Sequence, residues 1–463
     1  MPESPPFKVI IIGAGLAGSL LANGLLNNGV PFTIYERDSA HSTREGYQIR
    51  LGDSAVRGFK ACLSEKLAEA IIGKFGQSAI SGPTAPCLYT TQFQPVLDLT
   101  RLPSYSRSFS INRVVLRDLL IDPVAQSGNA LYGKSFSSYE IVADAPTGRE
   151  RVRVSFTDGS TDECDVLIGA DGSSSRVNAA VGVNNLVQLD SHWAFLSKGS
   201  LPKDRLEKLP AQLQKGPMLV FANGVSFFYA LYLPSKDKSK ANADGIAYND
   251  AEASFYWGLN VPKSHVTQYT DFADIPNRLQ FCQDIMRNWA PELKSLIATG
   301  QDDIGSSGIN VIPLRASFQP ARNWRERVQS ASGGSGRGQG HPRVWLLGDA
   351  IHAMQPNRGM GGNQAMYDCA ELLPYLVDLN EIAAARGRAP ILEEISVRCA
   401  KYEAQMMQRA FGWVRKSGGI SIPTIDFDGI LGKLVAVIDR LFIPVIWVVL
   451  RPFLATPHKE LAW

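Results

Sequence analysis

Gly13, Gly15 and Gly18 form a Gly-x-Gly-x-x-Gly run directly after the apolar stretch Val9–Ile12, and Glu36 follows 18 residues after Gly18. Each position has its own physical reason. Gly13 permits a tight turn, Gly15 lets an anionic group approach the backbone, and Gly18 lets a helix pack closely on the preceding strand. The free N–H groups and positive dipole end at the start of that helix suit a diphosphate. A carboxylate at Glu36 suits ribose hydroxyls. Ala17 lies inside the same run and Arg37 follows the acid. With strand, helix and acid all in register, the pattern reads as a dinucleotide site.

Two further stretches pair a strand with an acid. "CDVLIGADGSSSRV", residues 164–177, ends an apolar run in Asp171-Gly172 and continues into a serine-rich turn. "LLGDAIHAMQPNRGMGGNQA", residues 346–365, passes Gly348, Asp349 and Ala350, then Pro356, Gly359, Gly361 and Gly362, before Asn363 near the start of a helical pattern. Glycines at that density ahead of a helix favour close approach of a ligand to backbone amides over an ordinary turn. His352 invites a catalytic reading. For Asp171 a turn or cap carboxylate is the lesser alternative to a ligand contact.

The elements that must hold these residues follow from the pattern. Val9–Ile12, Leu16–Asn27 and Phe32–Tyr35 make a strand, helix, strand unit. Residues 151–172 read as a hairpin around Asp158-Gly159 feeding a buried strand at Val166–Ile168. From about 185 to 315 the sequence turns aromatic and alternating, as in "MLVFANGVSFFYALYLP" and "ASFYWGLNVP", which indicates a separate sheet. Phe227, Tyr229, Tyr256 and Gly258 are expected on one side of it. A glycine- and serine-rich stretch at 330–342 reads as a surface loop before a strand at Val344–Leu347, and most of 363–417 reads as helix.

Composition narrows the class. At 463 residues the chain exceeds a usual single domain, and 45% hydrophobic with 20% charged residues is an ordinary globular balance. A formal charge of +3 is too small for a nucleic-acid footprint. The cluster Arg322, Arg325 and Arg327 is expected to be a solvated face. Six scattered cysteines form no Cys-x-x-Cys, so neither a metal site nor a disulfide framework is expected, and a reducing compartment fits. The N-terminal stretch lacks signal-peptide features. Leu441–Leu450 is uninterruptedly apolar but short of the about 20 residues a membrane span needs. It reads as a packing helix, or as a surface for a membrane or a partner.

The three motifs, in this order, resemble the single-component FAD-dependent monooxygenases of the para-hydroxybenzoate hydroxylase type (class A), above all the fungal members that tailor secondary metabolites. The resemblance covers about residues 8–415. "SINRVVLRDLL", residues 110–120, is similar to the family's Arg-containing helix, which would bring Arg113 to the FAD. "REGYQIRL", residues 44–51, is similar to the segment in which Arg44 and Gly46 would lie alongside the flavin, with Tyr47, Gln48 and Arg50 at the pocket rim. One departure stands out: the family's second motif has an Arg where this chain has Asn178, and Arg176 stands two residues earlier, so Asn178 is given no role.

The resemblance implies an α/β fold: a Rossmann-like, βαβ-based FAD-binding domain interleaved with a mixed or antiparallel β-sheet substrate domain, plus C-terminal helices. The expected partition is 1–185 for the first FAD-binding part, with substrate-side strands near 80–110; 186–315 for the substrate sheet; 316–400 for the second FAD-binding part; and 401–463 for a helical region. Asp349 would hold the ribityl chain, Pro356 would lie over the reactive edge of the ring, and Gly359, Gly361 and Gly362 would present amides to its pyrimidine side. Asp171 would serve FAD and the nicotinamide, and for His352 the resemblance implies a structural role.

In the family, NAD(P)H, here expected to be NADPH, reduces FAD. O2 adds at the flavin C4a position and the hydroperoxide passes an electrophilic oxygen to the substrate. The protein binds, orients and excludes water, so no nucleophilic triad is required. The implied reaction is hydroxylation or epoxidation of a bulky electron-rich aromatic natural product, a phenolic or meroterpenoid compound or an indole alkaloid. For an indole, epoxidation can lead to a spiro-oxindole, as in the indole-alkaloid epoxidase and spirocyclase group. The alternatives are a flavin oxidase, a halogenase, whose Trp-x-Trp-x-Ile-type stretch is missing, and a non-enzymatic escort protein on the same fold. A cytoplasmic location is expected, with membrane association through 441–450 as a variant.

Overall fold

Val9–Ile12, buried along its whole length, is the middle strand of a five-stranded parallel sheet. The order is Val344–Leu346, Val166–Gly169, Val9–Ile12, Phe32–Tyr35, Ala130–Leu131. Strands covered on both faces are continuously apolar, as these are. The computed structural model describes residues 6–40, 42, 48–76, 84–102, 108–143, 149–234, 248–249, 251–300, 308–331, 338–422 and 424–439.

The strand order decides where a ligand can sit. Val9–Ile12 has Phe32–Tyr35 on one side and Val166–Gly169 on the other, so the chain changes direction there. Parallel sheets bind ligands at the carboxyl ends of strands beside such a switch point. Three adjacent strands end there in Gly13, in Asp171-Gly172 and in Gly348-Asp349. The three motifs, hundreds of residues apart, become neighbours. Helix Leu16–Asn27 leaves the first of these turns and packs against helices Arg113–Gln126 and Gly361–Arg386.

A second sheet has seven strands, in the order Asn310–Ile312, His192–Ser200, Ser254–Pro262, Val225–Tyr232, Met218–Ala222, Cys87–Tyr89, Pro95–Asp98. Asn223 and Gly224 join two of them with φ of 49° and 78°, the left-handed pair that a tight hairpin turn demands. One face carries Phe227, Tyr229, Phe255 and Trp257, and helices Arg278–Ile285 and Pro291–Ala298 cover it.

The expected grouping of Phe227, Tyr229, Tyr256 and Gly258 is wrong. Tyr229 is paired with Trp257, and Ala230 with Tyr256. Directly paired residues share a face. Tyr256 and Gly258 therefore lie opposite to Phe227 and Tyr229, on the side of Phe228. Alternation gives two faces within each strand, but only the register says which faces coincide.

Arg325 also departs from expectation. Arg322 and Arg327 are exposed, whereas the Arg325 side chain is 15% exposed and pairs with Glu403 at 2.8 Å. It further donates to the carbonyls of Gly340, His341 and Val344. Of the loop at 330–342, residues 332–337 lie outside the described residues, as do Arg44, Gly46, Tyr47 and the apolar run 441–450.

The helical expectation for 363–417 resolves into Gly361–Arg386 and Leu392–Lys416. Residues 430–439 are also helical and expose Ile430, Leu431, Leu434, Val437 and Ile438. Among the described residues no helix is long and apolar enough to cross a membrane. The six cysteines are unpaired thiols.

Candidate active site

The glycine run is held by close backbone contact. Gly13 has φ +106°, and a Cβ there would lie 2.5 Å from the Ala170 carbonyl oxygen. A Cβ on Gly18 would collide with the Gly13 carbonyl. These two glycines let the first strand, the first helix and the Asp171 turn meet. Gly15 is different, because nothing lies within 4 Å of its Cβ position. It faces a crevice lined by Ala14, Gly15, Glu36, Asp38 and Arg113 among others.

Glu36 accepts from the Ala14 amide at 2.9 Å and from the Asp38 amide at 3.0 Å, so its carboxylate closes the glycine turn at the crevice edge. Arg37 turns to solvent, 3.8 Å from Asp38, and is not among the crevice-lining residues. Ala17 uses its carbonyl to accept from the Cys369 thiol.

Asp171 is occupied within the chain. It accepts from the Ser175 hydroxyl at 2.5 Å and from the amides of Arg176 and Val177, capping helix Arg176–Val181. Burial raises its carboxyl pKa, against these hydrogen bonds. Gly172 has φ +79° and open space at its Cβ position. Asn178, given no role from the sequence, connects the second motif to the third. Its amide donates to the Ala350 carbonyl at 2.7 Å and to the Asn185 side chain, which in turn donates to the Ile351 carbonyl.

Asp349 begins a short helix, Asp349–His352, after Gly348 at φ +62°. The residue is exposed at the surface, yet protein atoms crowd its carboxyl. Desolvation raises its carboxyl pKa, with Arg113 and His352 pulling the other way. Arg113 thus faces both the crevice and Asp349. Pro356 is exposed beyond this turn, and Gly359 takes φ +63° with open space at its Cβ position. Gly361 starts the long helix, whose first amides are free for a ligand. Gly362 instead makes room for Ile49, which a Cβ there would strike.

Asn363 is 3% exposed and fully used: it accepts from the Gly52 amide and donates to the Arg50 and Gly359 carbonyls. It fastens the strand Gln48–Leu51 to the glycine-rich turn. Arg50 donates to the Thr84 carbonyl and to the Ser108 hydroxyl and carbonyl, and lines a small open hollow with Gly76 and Leu231.

His352 is fully buried, with Nε2 2.6 Å from Asp368, which also accepts from the Gly348 amide and pairs with Arg409. Burial alone would raise the Asp368 carboxyl pKa. The His352 and Arg409 contacts outweigh it and hold the group below its usual range. The histidine braces the turn from behind and does not face the crevice. Asp368 was legible in principle as an acid interrupting the apolar stripe of Ala365, Cys369 and Leu372.

The open Cβ positions of Gly15, Gly172 and Gly359, the crevice at Gly15, and an acid beside a helix N-terminus together fit an FAD. The FAD binding domain family matches residues 6–197 and 313–410, more than half of the chain. The chain belongs to this family of class A FAD-dependent monooxygenases.

The family's curated fungal relatives carry matching names. The dual O-methyltransferase/FAD-dependent monooxygenase elcB of Phaeosphaeria nodorum is 25% identical over 88% of this chain. The chain spans only 45% of that protein's length. The FAD-dependent monooxygenase dbaB of Emericella nidulans is 26% identical, covering 80% of this chain and 86% of its own.

Solved structures share the fold. A putative FAD-containing monooxygenase from Photorhabdus luminescens has a TM-score of 0.65 at 23% identity, covering 89% of this chain and 97% of its own. Klebsiella pneumoniae HpxO, complexed with FAD and uric acid, has a TM-score of 0.61 at 20% identity, covering 97% of this chain and 92% of its own.

Proposed function

We propose that this chain is an NADPH-dependent FAD monooxygenase that hydroxylates or epoxidises a bulky, electron-rich aromatic natural product. One observation carries the reading: three motif turns converge at adjacent strand ends, the first opening on a crevice and Asp349 of the third standing beside a helix N-terminus. Glu36 would hold the adenosine ribose, and Gly15 with the first helix amides the diphosphate. Arg113 would add charge to the diphosphate region, and Asp349 would accept from ribityl hydroxyls. Amides at Gly361 and Gly362 would face the flavin pyrimidine, where negative charge is stabilised by donors and by the helix end, whereas the Gly359 amide already donates to the Pro356 carbonyl. Bound FAD, once reduced, supplies O2 activation and transfer of one oxygen atom.

The protein's remaining task is to orient the substrate and keep water out. Phe228 and Tyr256, with ring centroids 4.8 Å apart, share one sheet face with Phe221, which packs against Phe427. That aromatic face supports a planar apolar substrate, phenolic, meroterpenoid or indole. For an indole the product would be an epoxide that rearranges to a spiro-oxindole. On this reading 1–185 and 316–400 form the FAD-binding part, 186–315 the substrate sheet and 401–463 a helical region. The enzyme would work in the cytoplasm, with the exposed apolar positions of 430–439 as a membrane-docking edge.

The test is direct. The purified chain should be yellow, and NADPH consumption should accelerate with a phenolic or indole natural product from a panel, giving an oxygenated product. A colourless protein that gains no colour on FAD addition would sink the reading. Peroxide in stoichiometric yield without oxygenated product would identify an oxidase. Pelleting with vesicles tests the docking edge.

A further inference from the structure

Gln48 is 7% exposed, and neither its amide nitrogen nor its amide oxygen has a hydrogen-bond partner. Burying a carboxamide without partners is unfavourable, because the hydrogen bonds it made to water are not replaced. A chain that keeps such a group uses it for something outside itself, or carries a plain defect.

Its direction is fixed by the strand Gln48–Leu51. Ile49 is paired with Ile111, and Leu51 with Phe109, and this face belongs to the FAD-binding core. Side chains alternate, so Gln48 and Arg50 point the other way. On that side Arg50 lies within electrostatic reach of Tyr256, and Ser110, its pair, adjoins Gly76, which touches Tyr232. Tyr256 and Tyr232 both belong to the aromatic face of the seven-stranded sheet. Gln48 is thus turned toward the sheet and away from the helix N-terminus at Gly362.

Arg50 on the same face is bonded to Thr84 and Ser108. Gln48 alone of the two retains an unused donor and acceptor. Its strand is also held firmly, since Asn363 ties Arg50 and Gly52 to the glycine-rich turn.

We propose that Gln48 is a specificity-determining residue whose carboxamide hydrogen-bonds a neutral hydroxyl or N–H on the aromatic substrate. The inference rests on the monooxygenase reading above. A neutral amide suits a neutral polar group, since a carboxylate ligand would call for a cation. Oε1 accepts the substrate's O–H or N–H, and Nε2 donates to its oxygen. The contact sets which ring edge turns toward the flavin.

The test compares 2-naphthol with naphthalene, using perturbation of the flavin absorbance of the FAD-loaded protein. Wild type should bind 2-naphthol about tenfold or more tightly than naphthalene, because a site built to bond a hydroxyl discriminates against its absence. Gln48→Leu should bring that ratio close to one while leaving naphthalene affinity and flavin content unchanged. It should also raise the Tm of the FAD-free protein, since an unpaired buried amide is removed.

An unchanged ratio in Gln48→Leu overturns the proposal. So does a shifted flavin spectrum or lost FAD with discrimination intact, which would assign Gln48 to the flavin. A lowered Tm overturns it too, by showing that Gln48 serves the fold. If Gln48→Leu does not fold, Gln48→Met, similar in length and lacking the amide, takes its place under the same criteria. Wild type that holds FAD but shows no preference for 2-naphthol overturns this proposal alone. Wild type that cannot hold FAD overturns the monooxygenase reading beneath it.

Discussion

The Asp349 carboxylate reaches the first turn of helix Gly361–Arg386: its Oδ1 lies 3.6 Å from the point where a Cβ on Gly361 would stand. An acceptor and the donors of a helix N-terminus therefore meet from two segments. A side chain at 361 would separate them. The pair matches a ligand that offers hydroxyls at one point and carbonyls at the next, as the ribityl chain and pyrimidine edge of FAD do.

Asp349→Ala removes the acceptor and leaves the donors. A hydrogen bond to a charged group contributes roughly 1.5–3 kcal/mol, so FAD affinity should fall by roughly 10- to 100-fold. Flavin absorbance per protein after gel filtration checks this. Full flavin content in the variant would remove Asp349 from the ribityl assignment.

Two glycines of the first motif should respond in opposite ways. Gly18→Ala forces a Cβ into the Gly13 carbonyl and should lower the Tm of the FAD-free protein. Gly15→Ala meets no atom within 4 Å, and Gly15 has an ordinary φ of −73°. It should keep the FAD-free Tm and lose FAD. Thermal melts with and without added FAD distinguish the two. Equal loss of stability in both would mean that Gly15 serves packing and not ligand approach.

Acid should release FAD before it unfolds the chain. Asp349 has a folded pKa raised above 3.8 by burial, so it takes its proton first as pH falls. That protonation favours the FAD-free folded chain and removes the acceptor the ribityl chain needs. Asp368 is the reverse case. Its folded pKa is depressed below 3.8, so its contribution is present above that value and is lost only as pH falls further through the folded value. Free-flavin fluorescence should therefore rise at a higher pH than circular dichroism is lost. Coincident transitions would contradict the ordering.

Much of this arrangement was legible because its cause is local. Gly13 and Gly18 are dictated by one turn and one helix, and the spacing alone announces them. The convergence of Gly13, Asp171 and Gly348 was not readable from spacing, since it depends on which strands become neighbours. Asn178 was passed over because it departs from the family pattern, yet its partners are carbonyls at Ala350 and, through Asn185, Ile351. A link across 172 residues leaves no periodicity to detect. The aromatic faces failed for the same reason: period two is local, register is not.

Arg325 extends that lesson to a measurable effect. Its guanidinium joins Glu403 on helix Leu392–Lys416 to the carbonyls of Gly340, His341 and Val344, just before the strand that delivers Gly348 and Asp349. Arg325→Met leaves Glu403 without its cation and three carbonyls without this donor. Breaking a fully buried pair from one side costs about 3–5 kcal/mol, an upper bound for this part-buried one, and the loss should appear as a lower urea midpoint. Arg325→Lys keeps the charge but not the planar fork that serves several acceptors at once, so it should fall between wild type and Arg325→Met. Because the loop anchors the Asp349 strand, both variants should also lose FAD in the same order. A solvated arginine would give neither effect, and wild-type stability in Arg325→Met would return Arg325 to the surface.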